Sequence, residues 1–164
     1  MDVLSIDIET FSSVDIKKAG MYKYAQSPDF EVLLFAYSLN GADVQVVDLK
    51  RGEDIPQPIM RALVDETIIK KAYNAAFEWY CLSKAFNIRP SAWLSQWRCT
   101  MVHGLYCGYT AGLAATGEAL GLSKDKQKLS TGKALIKTFC TPTKASRANG
   151  QRTRTLPHHE PEKR

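Results

Sequence analysis

The run Val3-Leu4-Ser5-Ile6-Asp7-Ile8-Glu9 constrains this chain more than any other stretch. Apolar residues at 4, 6 and 8 alternate with polar ones at 5, 7 and 9, the period of a strand with one buried face. The pattern predicts a strand over 3–8, with Ile6 and Ile8 turned toward a core and Asp7 and Glu9 sharing the opposite face. Two carboxylates a few ångströms apart repel and raise one another's pKa unless a cation lies between them. Facing solvent at a strand end would relieve that cost, and so would metal binding. Hard oxygen ligands of this kind suit magnesium or manganese. Two such ions about 3.5–4 Å apart are a standard device for in-line attack on a phosphodiester.

The elements that follow set the fold class. Residues 30–39, Phe-Glu-Val-Leu-Leu-Phe-Ala-Tyr-Ser-Leu, read as a second strand ending at Asn40-Gly41, and 44–48 as its return partner. Asn-Gly between apolar runs favours a primed turn, so these two form a hairpin. A short helix is expected over 57–64 after Pro56, and a fourth strand over 67–73. From residue 75 the apolar period changes to that of a helix over 75–86, followed by helices near 99–107, 112–120 and 131–139. Strands first, a crossover, then helices imply an α/β fold: a mixed sheet with flanking helices. Residues 10–29 read as a long connection, and loops of that length usually have a function. Trp93 and Trp97 are expected to cover the sheet edge, and Trp79 and Tyr80 to pack on the helix that starts at Ala75.

Composition narrows the class further. The chain has 164 residues, 45% of them hydrophobic, enough for one domain with a substantial core. No apolar run approaches the ~18 residues that span a bilayer. Acidic residues stand at the N-terminus where a secretory signal would carry lysines, so a cytoplasmic protein is expected. Cys81, Cys99, Cys107 and Cys140 form no C-x-x-C pair, which gives zinc or redox chemistry no support. The net charge is +5, of which residues 1–140 contribute +1 (16 Lys+Arg, 15 Asp+Glu) and residues 141–164 contribute +4 (six basic, two acidic). The expected organisation is therefore a domain over 1–140 and a basic, solvated arm over 141–164. Such an arm would either contact a phosphate backbone, where each neutralised phosphate releases a counterion, or simply be a soluble tail.

After the fourth strand comes Tyr73-Asn74-Ala75-Ala76-Phe77-Glu78. Asn74 reads as a helix N-cap, and Glu78 falls in the first turn, where the helix dipole favours an anion. Glu78 can serve only the helix terminus, or it can converge with Asp7 and Glu9, since open α/β sheets place ligands beyond the carboxyl ends of their strands. Asp7-Ile8-Glu9-Thr10 followed by Asn74-Ala75-Ala76-Phe77-Glu78 resembles the first two motifs of the DEDD 3′–5′ exonuclease superfamily, whose fold is ribonuclease H-like. The stretches 11–20, 27–31, 97–101, 113–122 and 133–136 resemble, more narrowly, the proofreading region of phage-type family A DNA polymerases.

The resemblance implies a nuclease that uses two Mg²⁺ or Mn²⁺ ions to remove mispaired nucleotides from a primer 3′ end. Asp7 would bridge both ions, Glu9 would hold the ion that activates water, and Glu78 would stand where the superfamily usually has Asp. Thr10 would lie against the terminal nucleotide, with Asn74 and Phe77 supporting the second motif. The implied partners are single-stranded DNA or a primer 3′ end, together with a polymerase domain absent from this chain. The implied setting is a phage or prophage protein in a bacterial host. The superfamily's third motif, a final Asp with Tyr or His four or five residues earlier, has no match. The last aspartate is Asp125, no Tyr is followed four residues later by Asp, and His103 is followed five later by Gly108. The chain is therefore expected to be cut short, with its last helix missing and its two-ion site incomplete. The alternative function is a catalytically incomplete fragment that binds DNA or another partner.

Other features have two readings each. Tyr22 and Tyr24, near Lys17, Lys18 and Lys23, would either stack bases of a single strand or form a small satellite core. The lysine-rich 121–128 segment would lie along DNA or simply in solvent. Leu129-Ser130-Thr131-Gly132-Lys133 lacks the first glycine of a P-loop, which argues against nucleotide hydrolysis.

Overall fold

A computed structural model describes residues 1–110, 112–123 and 130–163. Five strands form one sheet in the order β3-β2-β1-β4-β5. They are β1 (Val3–Phe11), β2 (Glu31–Leu39), β3 (Gln45–Asp48), β4 (Ile69–Ala72) and β5 (Trp97–Cys99). The helices are α1 (Ile16–Ala25), α2 (Gln57–Val64), α3 (Ala76–Ala85), α4 (Thr100–Tyr106), α5 (Leu113–Ala119) and α6 (Ser130–Phe139). By packing the chain divides into two units: Met1–Glu9 with Val32–Lys128, and Thr10–Glu31 with Leu129–Arg164.

The first unit carries the sheet. β1 pairs in parallel with β4 (Val3 with Ile69, Ser5 with Lys71), and β4 in parallel with β5 (Lys70 with Trp97, Ala72 with Cys99). β2 and β3 are antiparallel, with Phe35 opposite Val47. At their turn both Asn40 and Gly41 have positive φ (55° and 77°), as a primed turn requires. Asn40 also accepts the Val3 N–H at 2.8 Å, which puts the end of β2 beside the start of β1. The mixed α/β sheet expected from the sequence is therefore present. Leu4, Ile6 and Ile8 of β1 are buried while Asp7 is exposed, so the alternation of the first strand holds.

Ile59, Ala62 and Leu63 of α2 and Cys81 and Leu82 of α3 are buried with Phe35 and Leu4. Each fully buried aliphatic side chain of this kind contributes about 1.5–3 kcal/mol. A polar relay fixes α3 to the segment before β5. Trp93 Nε1 donates to Ser83 Oγ (2.9 Å), Ser83 Oγ donates to the Trp79 carbonyl (2.6 Å), and Trp79 Nε1 donates to the Pro90 carbonyl (2.8 Å). The Trp93 and Trp97 rings meet edge to face at 5.4 Å.

Trp97 corrects the expectation that it covers the sheet edge: it begins the edge strand β5 itself. A three-residue strand is too short to show a period in sequence.

In the second unit, the connection expected over 10–29 contains α1, capped by Asp15, whose side chain accepts the Lys17 N–H at 2.9 Å. The helix is kinked at Gly20, whose φ of 79° and ψ of 165° fall outside helical space and inside the region where glycine carries no Cβ penalty. Of the lysine-rich 121–128 segment, Lys124–Lys128 lie outside the described residues, as does Leu129. Among the described residues no helix is long and apolar enough to cross a membrane.

Candidate active site

β1 and β4 run in the same direction with Ser5 opposite Lys71, so the carboxyl end of β4, which leads into α3, lies alongside the stretch of β1 that carries Asp7. Asn74 makes the corner with φ 69°, a left-handed conformation that Asn tolerates better than most residues because its short side chain bonds locally. This corrects its expected role as an N-cap. The cap position belongs to Ala75, with no side-chain cap bond, and Asn74 contributes its carbonyl, which accepts the Phe77 N–H at 2.9 Å. Phe77 is half-buried in the first turn of α3.

The same turn carries Glu78, which is only 3% exposed. Its Oε2 is buried with no hydrogen-bond partner among the described residues. Burial pushes its carboxyl up to about 8; its own backbone N–H opposes that shift, and the negative charges of Asp7 and Glu9 add to it. The structure thus brings all three acidic candidates within electrostatic reach of one another. Glu78 also bears on Cys81, whose thiol is driven up to about 12, first by burial and then by that carboxylate.

An orphaned buried carboxylate oxygen is costly unless something else satisfies it. All three groups offer hard oxygen donors, so in donor chemistry they fit a divalent cation. Among the described residues, no group of three or more His, Cys, Asp or Glu side chains is drawn close enough to hold a metal ion. The three acids are coupled neighbours in this structure, not a closed cage.

The remaining sequence candidates lie in the second unit. Thr10 is buried, and its hydroxyl shares a 2.9 Å hydrogen bond with Tyr24 Oη. Tyr24 is 6% exposed, and its carbonyl accepts Ser12 Oγ at 3.0 Å. A buried ring has no open face for a base, so of the two readings Tyr24 takes the satellite-core one. Tyr22 is 54% exposed.

Sequence reasoning missed one residue of consequence. Lys70, in the middle of β4, is fully buried, and its ammonium donates to the Asp65 carbonyl (2.6 Å), the Ile68 carbonyl (3.0 Å) and Gln96 Oε1 (2.7 Å). Burial lowers its pKa to about 8, against the opposing charges of Asp65 and Glu66. Nothing in Ile69-Lys70-Lys71-Ala72 marks which lysine turns inward.

A five-stranded mixed sheet with β2 reversed and two acids on the first strand defines the ribonuclease H-like α/β class, with a fold similar to that of the DEDD exonucleases. The chain is 50% identical over 163 residues to the DNA polymerase of Bacillus phage SP02, a match covering 99% of the chain and 24% of the polymerase. It therefore spans about a quarter of that relative's length.

Among solved structures, Brucella melitensis NrnC with bound Mg²⁺ superposes with a TM-score of 0.53 at 20% identity, covering 80% of this chain and 62% of NrnC. NrnC bound to pGG gives 0.53 at 21% identity over 77% of this chain and 56% of NrnC. Escherichia coli RNase D, an exoribonuclease involved in structured RNA processing, gives 0.51 at 16% identity over 80% of this chain and 30% of RNase D. No family model matches the chain.

Proposed function

We propose that this chain is a 3′–5′ exonuclease domain of the type that proofreads for a phage DNA polymerase, hydrolysing the terminal phosphodiester of a DNA strand. The observation that carries the reading is the buried, unpartnered Oε2 of Glu78 coupled to Asp7 and Glu9. The likeness of the whole chain to part of a phage DNA polymerase, and of its fold to a nuclease with bound Mg²⁺, supports it.

Asp7, Glu9 and Glu78 would hold the cations, Mg²⁺ or Mn²⁺, with Asp7 shared between two ions. When bound, such ions activate water and stabilise the leaving oxygen. The chain's own contribution is placement. The β1 ladder fixes Asp7 and Glu9 on one face, and the left-handed corner at Asn74 aims Glu78 toward them. The Thr10 hydroxyl, held by Tyr24, keeps the backbone after Glu9 in place for the terminal nucleotide. Tyr22 offers an exposed ring for stacking, and Phe77 braces the turn that carries Glu78. A polymerase portion would supply the primer end, and the setting would be the cytoplasm of a bacterial host.

One observation favours a second reading, a DNA-binding fragment without a completed site: no three acids converge to metal-binding distance among the described residues. A 5′-labelled single-stranded oligonucleotide incubated with Mn²⁺ separates the two. Laddering from the 3′ end that Asp7→Ala abolishes is the expected result. No cleavage by folded protein would leave the binding fragment.

A further inference from the structure

The basic stretch after Cys140 has a definite architecture within the second unit. Residues Thr143–Thr155 close on themselves: the Thr143 N–H donates to the Thr153 carbonyl at 2.8 Å, and the Thr143 and Thr155 hydroxyls meet at 3.0 Å. Asn149 is the hub of the loop. Its Oδ1 accepts the Ser146 and Arg152 N–H groups (2.9 and 3.2 Å), and its Nδ2 donates to the Lys144 and Arg152 carbonyls (2.9 and 3.2 Å). The loop reverses through Gly150 and Gln151, both at positive φ (64° and 62°). Its base is anchored by Arg154, which lies 3.8 Å over the Phe11 ring and pairs with Glu31.

The composition of this loop selects its ligand. Residues 141–159 contain Lys144, Arg147, Arg152 and Arg154 and no acidic residue. Arg154 is committed to Glu31, while Lys144 and Arg147 are exposed and Arg152 is half-buried. Within 143–155 the only apolar side chains are Ala145 and Ala148 and there is no aromatic ring, so the loop has nothing large to insert into a membrane and no aromatic platform for a base. What it offers is positive charge, threonine and serine hydroxyls and side-chain amides, the groups that contact phosphates without reading sequence.

We propose that Thr143–Thr155 is a preformed loop that binds the phosphodiester backbone of a nucleic-acid strand through Lys144, Arg147 and Arg152, using none of Asp7, Glu9 and Glu78. It rests on the nuclease reading only in the choice of a strand as ligand. A loop already closed by Asn149 loses little entropy on binding, which makes three cations more effective here than on a disordered arm.

Binding of a fluorescein-labelled oligothymidylate of about 20 nucleotides to the full chain in EDTA tests this without reading cleavage. The site can therefore fail while Asp7-dependent cleavage stands, and the reverse. In Lys144→Gln/Arg147→Gln/Arg152→Gln, Kd is expected to rise at least about tenfold at low salt. The slope of log K against log salt should become shallower by about 2, from about 0.7 per contact on a single strand. The exposed single change Arg147→Gln should remove about 0.7 of that slope and serves if the triple variant folds poorly. Asn149→Ala, which keeps every charge, should weaken binding about threefold through lost preorganisation. Unchanged binding in the triple variant, or in Arg147→Gln where that alone folds, would overturn the proposal. So would an equal loss in the charge-matched control Arg61→Gln/Lys84→Gln/Arg89→Gln. Wild-type binding by Asn149→Ala would overturn the preformed loop.

Discussion

Two buried ionisable groups, one on β4 and one in the helix turn that follows it, are treated in opposite ways. On the strand, the Lys70 ammonium meets three acceptors, which is all that its three protons can use. After it, Glu78 keeps one oxygen with no partner and has two further negative charges in reach. Both groups are under strain from burial, and both have pKa values moved toward neutrality. A buried charge with its hydrogen bonds complete contributes to the fold. One left incomplete beside like charges is a cost to the fold that a bound cation would offset.

The largest test of this contrast is catalytic. Glu78→Gln should lower exonuclease turnover on the order of 10³-fold, within the range for losing a positioned acid–base or charge-stabilising group. Lys70→Met, compared at equal folded protein, should stay within about twofold of wild type; a large loss there would break the comparison.

Stability against pH sharpens it next. The Glu78 carboxyl titrates near 8 in the folded chain against about 4.5 unfolded, so it costs nothing while protonated in both states. The cost grows between those values and is fully present above the higher one. In metal-free buffer Glu78→Gln should therefore melt like wild type near pH 4, and at about pH 9 be more stable by up to roughly 4–5 kcal/mol. A variant less stable than wild type at high pH would show that Glu78 is structurally satisfied.

Lys70→Met should act in the other direction, leaving Gln96 Oε1 without its donor and costing about 2 kcal/mol, or roughly 4–8 °C in Tm. The smallest effect belongs to the corner between the two groups. Asn74→Ala should cost about 1 kcal/mol for its left-handed backbone while Asn74→Gly is near neutral, both read by denaturant unfolding.

Much of this was legible in the sequence where a periodic pattern or a turn residue carried the signal. The first strand, the Asn40-Gly41 hairpin and the 57–64 helix all follow from local chemistry. Glu78 could be paired with Asp7 and Glu9 because its place after a strand was readable. What escaped depended on tertiary context. α1 has a cap residue at Asp15, but its apolar residues do not repeat at helical spacing and Gly20 interrupts it. Burial of Lys70 depends on the facing segment around Gln96, which no local pattern reports. Asn74 was recognisable as a helix-start residue, yet its corner needed the left-handed backbone and not the cap.

The parallel register of β1 and β4 has a consequence for how such a chain can change over time. Because side chains alternate with a period of two, deleting or inserting a single residue ahead of Asp7 would swing both acids into the core and push Ile6 and Ile8 outward. Point changes can weaken the acidic trio by degrees, but a one-residue length change in this strand abolishes the trio and the core together. Lineages of this domain should therefore vary freely in length at their loops and hold the spacing from Val3 to Glu9 fixed.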